Sequence, residues 1–211
     1  MVELNAEAAS LERPTEADCA ADGRRLRSER SRKAIVAALI SLIRKGETMP
    51  SAERVADEAN IGLRTVFRHF DDMDRLYQEV IEHIETEIAP LIEKPYEATD
   101  WHGRLTEMID RRAQVFELVM PFKLQSNARL LQSEFLQEMH RCAVALDRER
   151  MIEIMPASIV EDETRFCALF ASLSFDVWIH LRKDQGRSPA EAAEIMRCAA
   201  ESILAGIDRK L

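Results

Sequence analysis

The chain is poor in the residues that build most catalytic and secreted scaffolds. Only six of its 211 residues are glycine, and no two of them sit close enough to cradle a phosphate. Its five histidines, His69, His83, His102, His140 and His180, fall at no HExxH or similar metal-ligand spacing, and Gly-x-Ser-x-Gly is absent. Carboxylate runs such as Glu161-Asp162-Glu163 stand where a helix start favours them anyway. The expectation is therefore a protein without catalysis, cofactor or bound metal. Cys19, Cys142, Cys167 and Cys198 are far apart with no CxxC pair, which reads as reduced thiols in a cytoplasmic protein. No apolar run approaches the roughly 18 residues of a membrane span. The first twenty residues lack a basic start followed by an apolar stretch, so no secretion signal is expected. Positive charge is short as well: the net is −9, the opposite of the usual footprint of a nucleic-acid binder.

What is present reverses that last impression. Between Arg24 and Arg75 stand twelve Lys and Arg against eight Asp and Glu, a local net of +4, which leaves −13 for the remainder. Within that basic stretch, SAERVADEANIGLRTVFRHFDDMDRL (51–76) reads as two short helices joined by a tight turn and followed by a longer helix. Ser51 is a hydroxyl N-cap, and Val55, Ala56 and Ala59 share one face. Asn60-Ile61-Gly62 breaks the period with two residues that tolerate a left-handed backbone. The second helix, about 63–70, carries Arg64, Thr65, Arg68 and His69 outward, with Val66, Phe67 and Phe70 expected inside. A helix-turn-helix with basic and hydroxyl groups on its second helix has the shape that enters a DNA major groove.

The flanks fit the same plan. Residues 1–23 are acidic, Ala-rich and weakly patterned, and read as a disordered tail. The cluster RRLRSERSRK, with Arg30, Arg32 and Lys33, suits phosphate contact or an arm in a minor groove, or else a solvated helix start. Ile35, Ala38, Leu39 and Leu42 keep the helical interval, so a first helix is predicted over about 28–45, ended by Gly46.

Residues 28–93 resemble the N-terminal domain of the TetR family of transcriptional regulators. That family's core, I-A-x-x-A-G-V-S-x-x-T-x-Y-x-H-F followed by Lys and Leu, is matched by Val55-Ala56, Ala59-Asn60-Ile61-Gly62, Thr65, Phe67, His69-Phe70 and Leu76. There are four departures: Asn60 replaces the turn glycine, Gly62 the capping serine, Phe67 a tyrosine hydroxyl and Met73 a phosphate-binding lysine. The last two remove backbone contacts, which weakens binding at all sequences alike. The resemblance implies that Ser51 offers its helix terminus to a phosphate and that Thr65 and His69 touch phosphates. It also implies that Arg64 and Arg68 read base edges, where a guanidinium pairs bidentately with guanine.

Beyond the reader, 76–211 reads as helices forming a ligand-binding and dimerisation domain, about nine helices in an all-α chain. Expected segments are a connecting helix to about Pro95, one over 101–120 stopped by Pro121, a stretch over 122–155 in two pieces, and long helices over 159–183 and 188–210. Trp101, Phe116, Met120, Phe122, Phe135, Met139 and Phe170 are candidates for an apolar pocket, with His102 and His140 as polar partners; at helical spacing such residues also serve as plain core. The effector expected from this composition is apolar and uncharged or cationic. Leu173, Val177, Trp178 and Leu181, with Met196, Ala199, Ala200 and Ile203, form stripes on the last two helices. In the resembling family these helices make the homodimer interface, which implies two recognition helices on a palindromic operator of double-stranded DNA, with a repressor released by its effector. The alternative is a helical dimer whose weakened reader leaves it a ligand binder or protein partner.

Overall fold

The computed structural model describes residues 16–130 and 133–205. Expectations for residues 1–15, 131–132 and 206–210 lie outside them. Every regular element among the described residues is helical: α1 (Glu16–Arg44), α2 (Ala52–Glu58), α3 (Leu63–His69), α4 (Met73–Ile92), α5 (Trp101–Leu130), α6 (Glu134–Ile154), the single turn α7 (Ala157–Val160), α8 (Glu163–Ser172), α9 (Phe175–Ile179) and α10 (Pro189–Leu204). A π-helical turn, His180–Asp184, continues α9. With α7 set aside, the expected all-α layout of about nine helices holds.

Local chemistry explains most boundaries. The φ of +86° at Gly46 ends α1; its N–H bonds the Ile43 carbonyl at 2.9 Å and the Glu47 N–H bonds that of Leu42 at 3.0 Å, a Schellman closure. Ser51 caps α2 by accepting from the Arg54 N–H at 3.3 Å. Asn60 takes the left-handed conformation, φ +53°, that the turn demands. Asp72 caps α4, and Ser188 with Glu191 forms a reciprocal capping box ahead of Pro189 in α10.

Four boundaries differ from expectation. Helix α1 opens at Glu16 rather than near Ser28, so residues 16–23 are helical in backbone rather than part of a tail. Glu, Ala and Arg in EADCAADGRRLR are good helix formers, and Gly23 costs only about 1 kcal/mol against alanine. Pro121 does not stop α5, although it removes the bond to the Glu117 carbonyl, at about 3 kcal/mol. Buried Met120 and Phe122 on either side hold the chain helical through it. Pro90 likewise lies inside α4. The segment expected as one helix over 159–183 is broken twice, because Asp162 accepts from the Arg165 N–H and Ser174 from the Val177 N–H. Short polar side chains that satisfy a backbone donor locally start new helices.

Two apolar cores result. The first gathers Ile35, Leu39, Leu42 and Ile43 of α1, Val55 and Ala56 of α2, Val66 and Phe70 at α3, and Leu76, Tyr77, Val80 and Ile84 of α4, and takes in Phe122. The second holds Leu105, Met108 and Ile109 of α5 with Met151, Phe166, Leu169, Leu173, Trp178, Leu181, Met196 and Ala200. Helix α5 runs from one to the other, giving Phe116 to the second core and Val119 and Phe122 to the first.

Candidate nucleic-acid interface

The outer surface of α3 carries Arg64 and Arg68 fully outward, with Thr65 half-buried. Val66 and Phe70 are 2% and 3% exposed and anchor the helix in the first core. Phe67, expected inside, is instead 49% exposed on the same outer surface as Arg64 and Arg68. Helical geometry explains the correction: Val66 and Phe70 are four apart and share the inner face, and Phe67 is turned about 100° from Val66. Gly62 caps α3 through backbone alone, and its carbonyl accepts the Thr65 N–H at 2.8 Å. His69 is half-buried, with Nε2 enclosed and unpartnered. Burial first, then Arg68 and Arg32, lowers its pKa.

The basic residues of this end divide into two groups. Arg32 is committed internally: it donates to the His69 carbonyl at 2.9 Å, pairs with Glu79, and lies over the Phe70 ring at 4.5 Å. Arg44 pairs with Glu87, Lys45 with Glu58, and Arg54 with Glu47. Arg30, Lys33, Arg64 and Arg68 are exposed and carry no ion pair among the described residues. Of the three arm candidates on α1, then, Arg30 and Lys33 face solvent while Arg32 ties α1 to α3 and α4. Met73, the first residue of α4, is half-buried against the first core.

Between α1, α4, α5 and α6 lies a cavity of about 180 Å³. Ile43, Tyr77, Val80, Ile84, Phe122 and Met139 supply apolar wall, and Lys123 and His140 supply polar atoms. Of the sequence-predicted pocket residues it gathers Phe122, Met139 and His140. The others are not among its lining residues. Phe116 meets Phe175 edge-on at 5.3 Å, Phe170 stacks parallel to Phe166 at 6.4 Å, and both pack on the second core. Trp101 packs there too with exposed His102 against its ring, Met120 is buried, and Phe135 is half-buried. Aromatic content alone does not distinguish two cores served by one helix. The cavity's α4 wall and Lys123 were missed; the sequence signal for Lys123 was a cation set between Phe122 and Leu124.

The expected dimer stripes need correction. Leu173, Trp178, Leu181, Met196 and Ala200 are at most 4% exposed within one protomer, so they form its own core and offer nothing to a second copy. Val177, Ala199 and Ile203 are half-buried. The surfaces left open on these elements are Thr164, Cys167, Ala168 and Ala171 of α8 and Ile195, Cys198 and Ser202 of α10, each set at intervals of three and four. No described helix is long and apolar enough to cross a membrane.

Neither a family model nor a curated protein matches the chain. Its fold is similar to the crystal structure of a transcriptional regulator from Rhodococcus sp. Rha1. The TM-score is 0.64 over 83% of this chain and 96% of that one, at 19% identity. Similarity at that identity is a likeness of fold.

Proposed function

We propose that the chain is a TetR-like transcriptional regulator, a repressor that reads a palindromic operator as a homodimer and is released by a small apolar effector. The observation that carries the reading is charge placement. In a molecule of net −9, Arg30, Lys33, Arg64 and Arg68 are exposed without an ion pair among the described residues at the helix-turn-helix end, while Arg32, Arg44, Lys45 and Arg54 are neutralised by acids. Arg64 and Arg68 suit base edges. Phe67 suits a thymine methyl or sugar. Arg30 and Lys33 suit phosphates. The fold likeness to a protein described as a transcriptional regulator supports the same reading.

The division of labour is a reader over 24–75 and a helical sensor over 76–211, in a binding protein rather than an enzyme. Dimerisation through the open faces of α8 and α10 sets two α3 helices on one side of a duplex. The cavity suits the effector site because its wall includes α4, the helix that leaves the reader. An effector acts only by binding the DNA-incompatible arrangement more tightly. The test is capture of fragmented genomic DNA by the purified protein, followed by gel retardation of the enriched duplex. Retardation that Arg68→Ala abolishes supports the reading; no enrichment, or retardation indifferent to Arg64→Ala and Arg68→Ala, sinks it in favour of a helical dimer without a working reader.

A further inference from the structure

Arg112 of α5 is a cation kept inside the protein, its side chain 7% exposed. Two of its three nitrogens are served: Nη1 donates to the Leu173 carbonyl at 3.0 Å and Nη2 to Asp147 at 2.9 Å. The Nε–H is enclosed and meets no acceptor among the described residues. A buried donor on a charged group is costly to leave unmet, so the position favours whatever brings it an acceptor.

Arg112 borders a cleft of about 80 Å³ between the end of α4, α5 and α6, apart from the larger cavity that reaches the first core. Arg150 of α6 also lines it, exposed and without an ion pair among the described residues. Arg111, the third cation of the lining, is occupied. It bonds the Lys94 and Pro95 carbonyls, pairs with Glu107 and lies over the Tyr96 ring at 4.2 Å. With Asp147 set against Arg112 and Glu107 against Arg111, the charge of Arg150 is left over. The rest of the wall is largely apolar, with Ile92, Met108, Val115 and Phe116.

Charge, shape and size select the acceptor. Asp147 already faces Arg112, so Arg150 can balance one further negative charge and no more. A phosphate dianion brings two charges and four oxygens to a wall with few donors, and its desolvation outweighs the gain. A carboxylate brings one charge and two coplanar oxygens, the group that guanidinium edges match. Benzene fits a dry cavity of about 150 Å³, so 80 Å³ holds about three to five non-hydrogen atoms. We infer that this cleft binds a short-chain monocarboxylate, one oxygen on Arg112 Nε and the other toward Arg150, with its carbons against Met108 and Val115. Binding here makes no use of the helix-turn-helix and holds whether or not the chain reads DNA.

Calorimetric titration of the full chain with propanoate, propanamide and inorganic phosphate tests the class. Propanoate is expected to bind about ten- to a hundredfold more tightly than propanamide, the span of one charge-assisted hydrogen bond. Phosphate is expected to bind more weakly than propanoate. Arg150→Gln is expected to weaken propanoate about two- to fivefold, as an exposed charge does, and to leave propanamide unchanged. In heteronuclear NMR the Arg112 Nε–H signal, assigned by its loss in Arg112→Lys, is expected to shift with propanoate and not with propanamide. Should Arg112→Lys fail to fold, Arg150→Gln locates the site alone. Propanoate that binds no better than propanamide or phosphate, or is indifferent to Arg150→Gln, overturns the proposal. No binding at about ten millimolar also overturns it, and would mean that water alone serves Nε.

Discussion

At the residue scale, function turns on which side chains the protein keeps for itself. Arg32 and Arg68 look alike in the sequence, yet one is spent on the His69 carbonyl, Glu79 and Phe70 while the other faces solvent without an ion pair among the described residues. Arg32→Ala is therefore expected to lower unfolding stability by about 1 kcal/mol, the net worth of a hydrogen-bonded contact, as measured by chemical denaturation. Arg68→Ala is expected to leave stability within about 0.5 kcal/mol and to weaken operator binding by about 1–3 kcal/mol with relaxed base preference, read by fluorescence anisotropy on single-base variants of the duplex. Phe67→Ala belongs with Arg68: the ring is half exposed, so its loss touches DNA affinity and hardly the fold. Arg64 and Arg68 were legible because charge and helical spacing fix their face; Thr65 and His69, expected outward with them, are half-buried. The internal commitment of Arg32 was not, because its partners Glu79 and the His69 carbonyl are 47 and 37 residues away in the chain.

At the scale of elements, caps and turns were readable and helix continuity was not. Ser51 and Gly46 act through neighbours within a few residues, so a single sequence is enough to place them. Pro121 looked like a stop because the burial of Met120 and Phe122 that overrides it depends on tertiary packing, which the local sequence does not show. Gly103 is the opposite case, a glycine that punctuates nothing. It lies in the first turn of α5, its N–H bonds Asp100 at 2.9 Å, and a Cβ there would meet the Ala98 Cβ at 2.5 Å. Helix propensity alone favours Gly103→Ala by about 1 kcal/mol. We expect the close approach to dominate and the variant to melt lower than the unaltered protein in a thermal scan, because overpacking typically costs about 1–3 kcal/mol. A higher melting temperature would show that the turn before α5 yields freely.

For the whole molecule, the all-helical fold and its basic end were visible from periodicity and local charge, while the cavity between α1, α4, α5 and α6 and the open faces of α8 and α10 required knowing which apolar side chains the two cores consume. Stability should also follow pH in two stages. His69 and His140 are held below the ordinary histidine value of 6.5, mainly by burial, so the folded chain resists protons that the unfolded chain accepts. Their contribution is present above about pH 6.5 and is lost as pH falls through that value toward the lowered ones. Glu117, held below 4.5 chiefly by Arg182, adds its loss only in more acid solution. Melting temperatures recorded from pH 8 to pH 5 are expected to decline, and to decline less in His69→Gln/His140→Gln. Dimerisation through α8 and α10 predicts that Ala168→Arg halves the mass found by light scattering without lowering helical content. The decisive measurement is the salt dependence of binding to a captured operator, for the unaltered protein and for Lys33→Ala and Arg68→Ala. We expect a steep decline of affinity with salt, a slope shallower by about 2 in Lys33→Ala because the proposed dimer loses two phosphate contacts, and a loss of base preference in Arg68→Ala. Affinity that ignores salt and both substitutions would mean that the basic end of this acidic molecule does not read DNA.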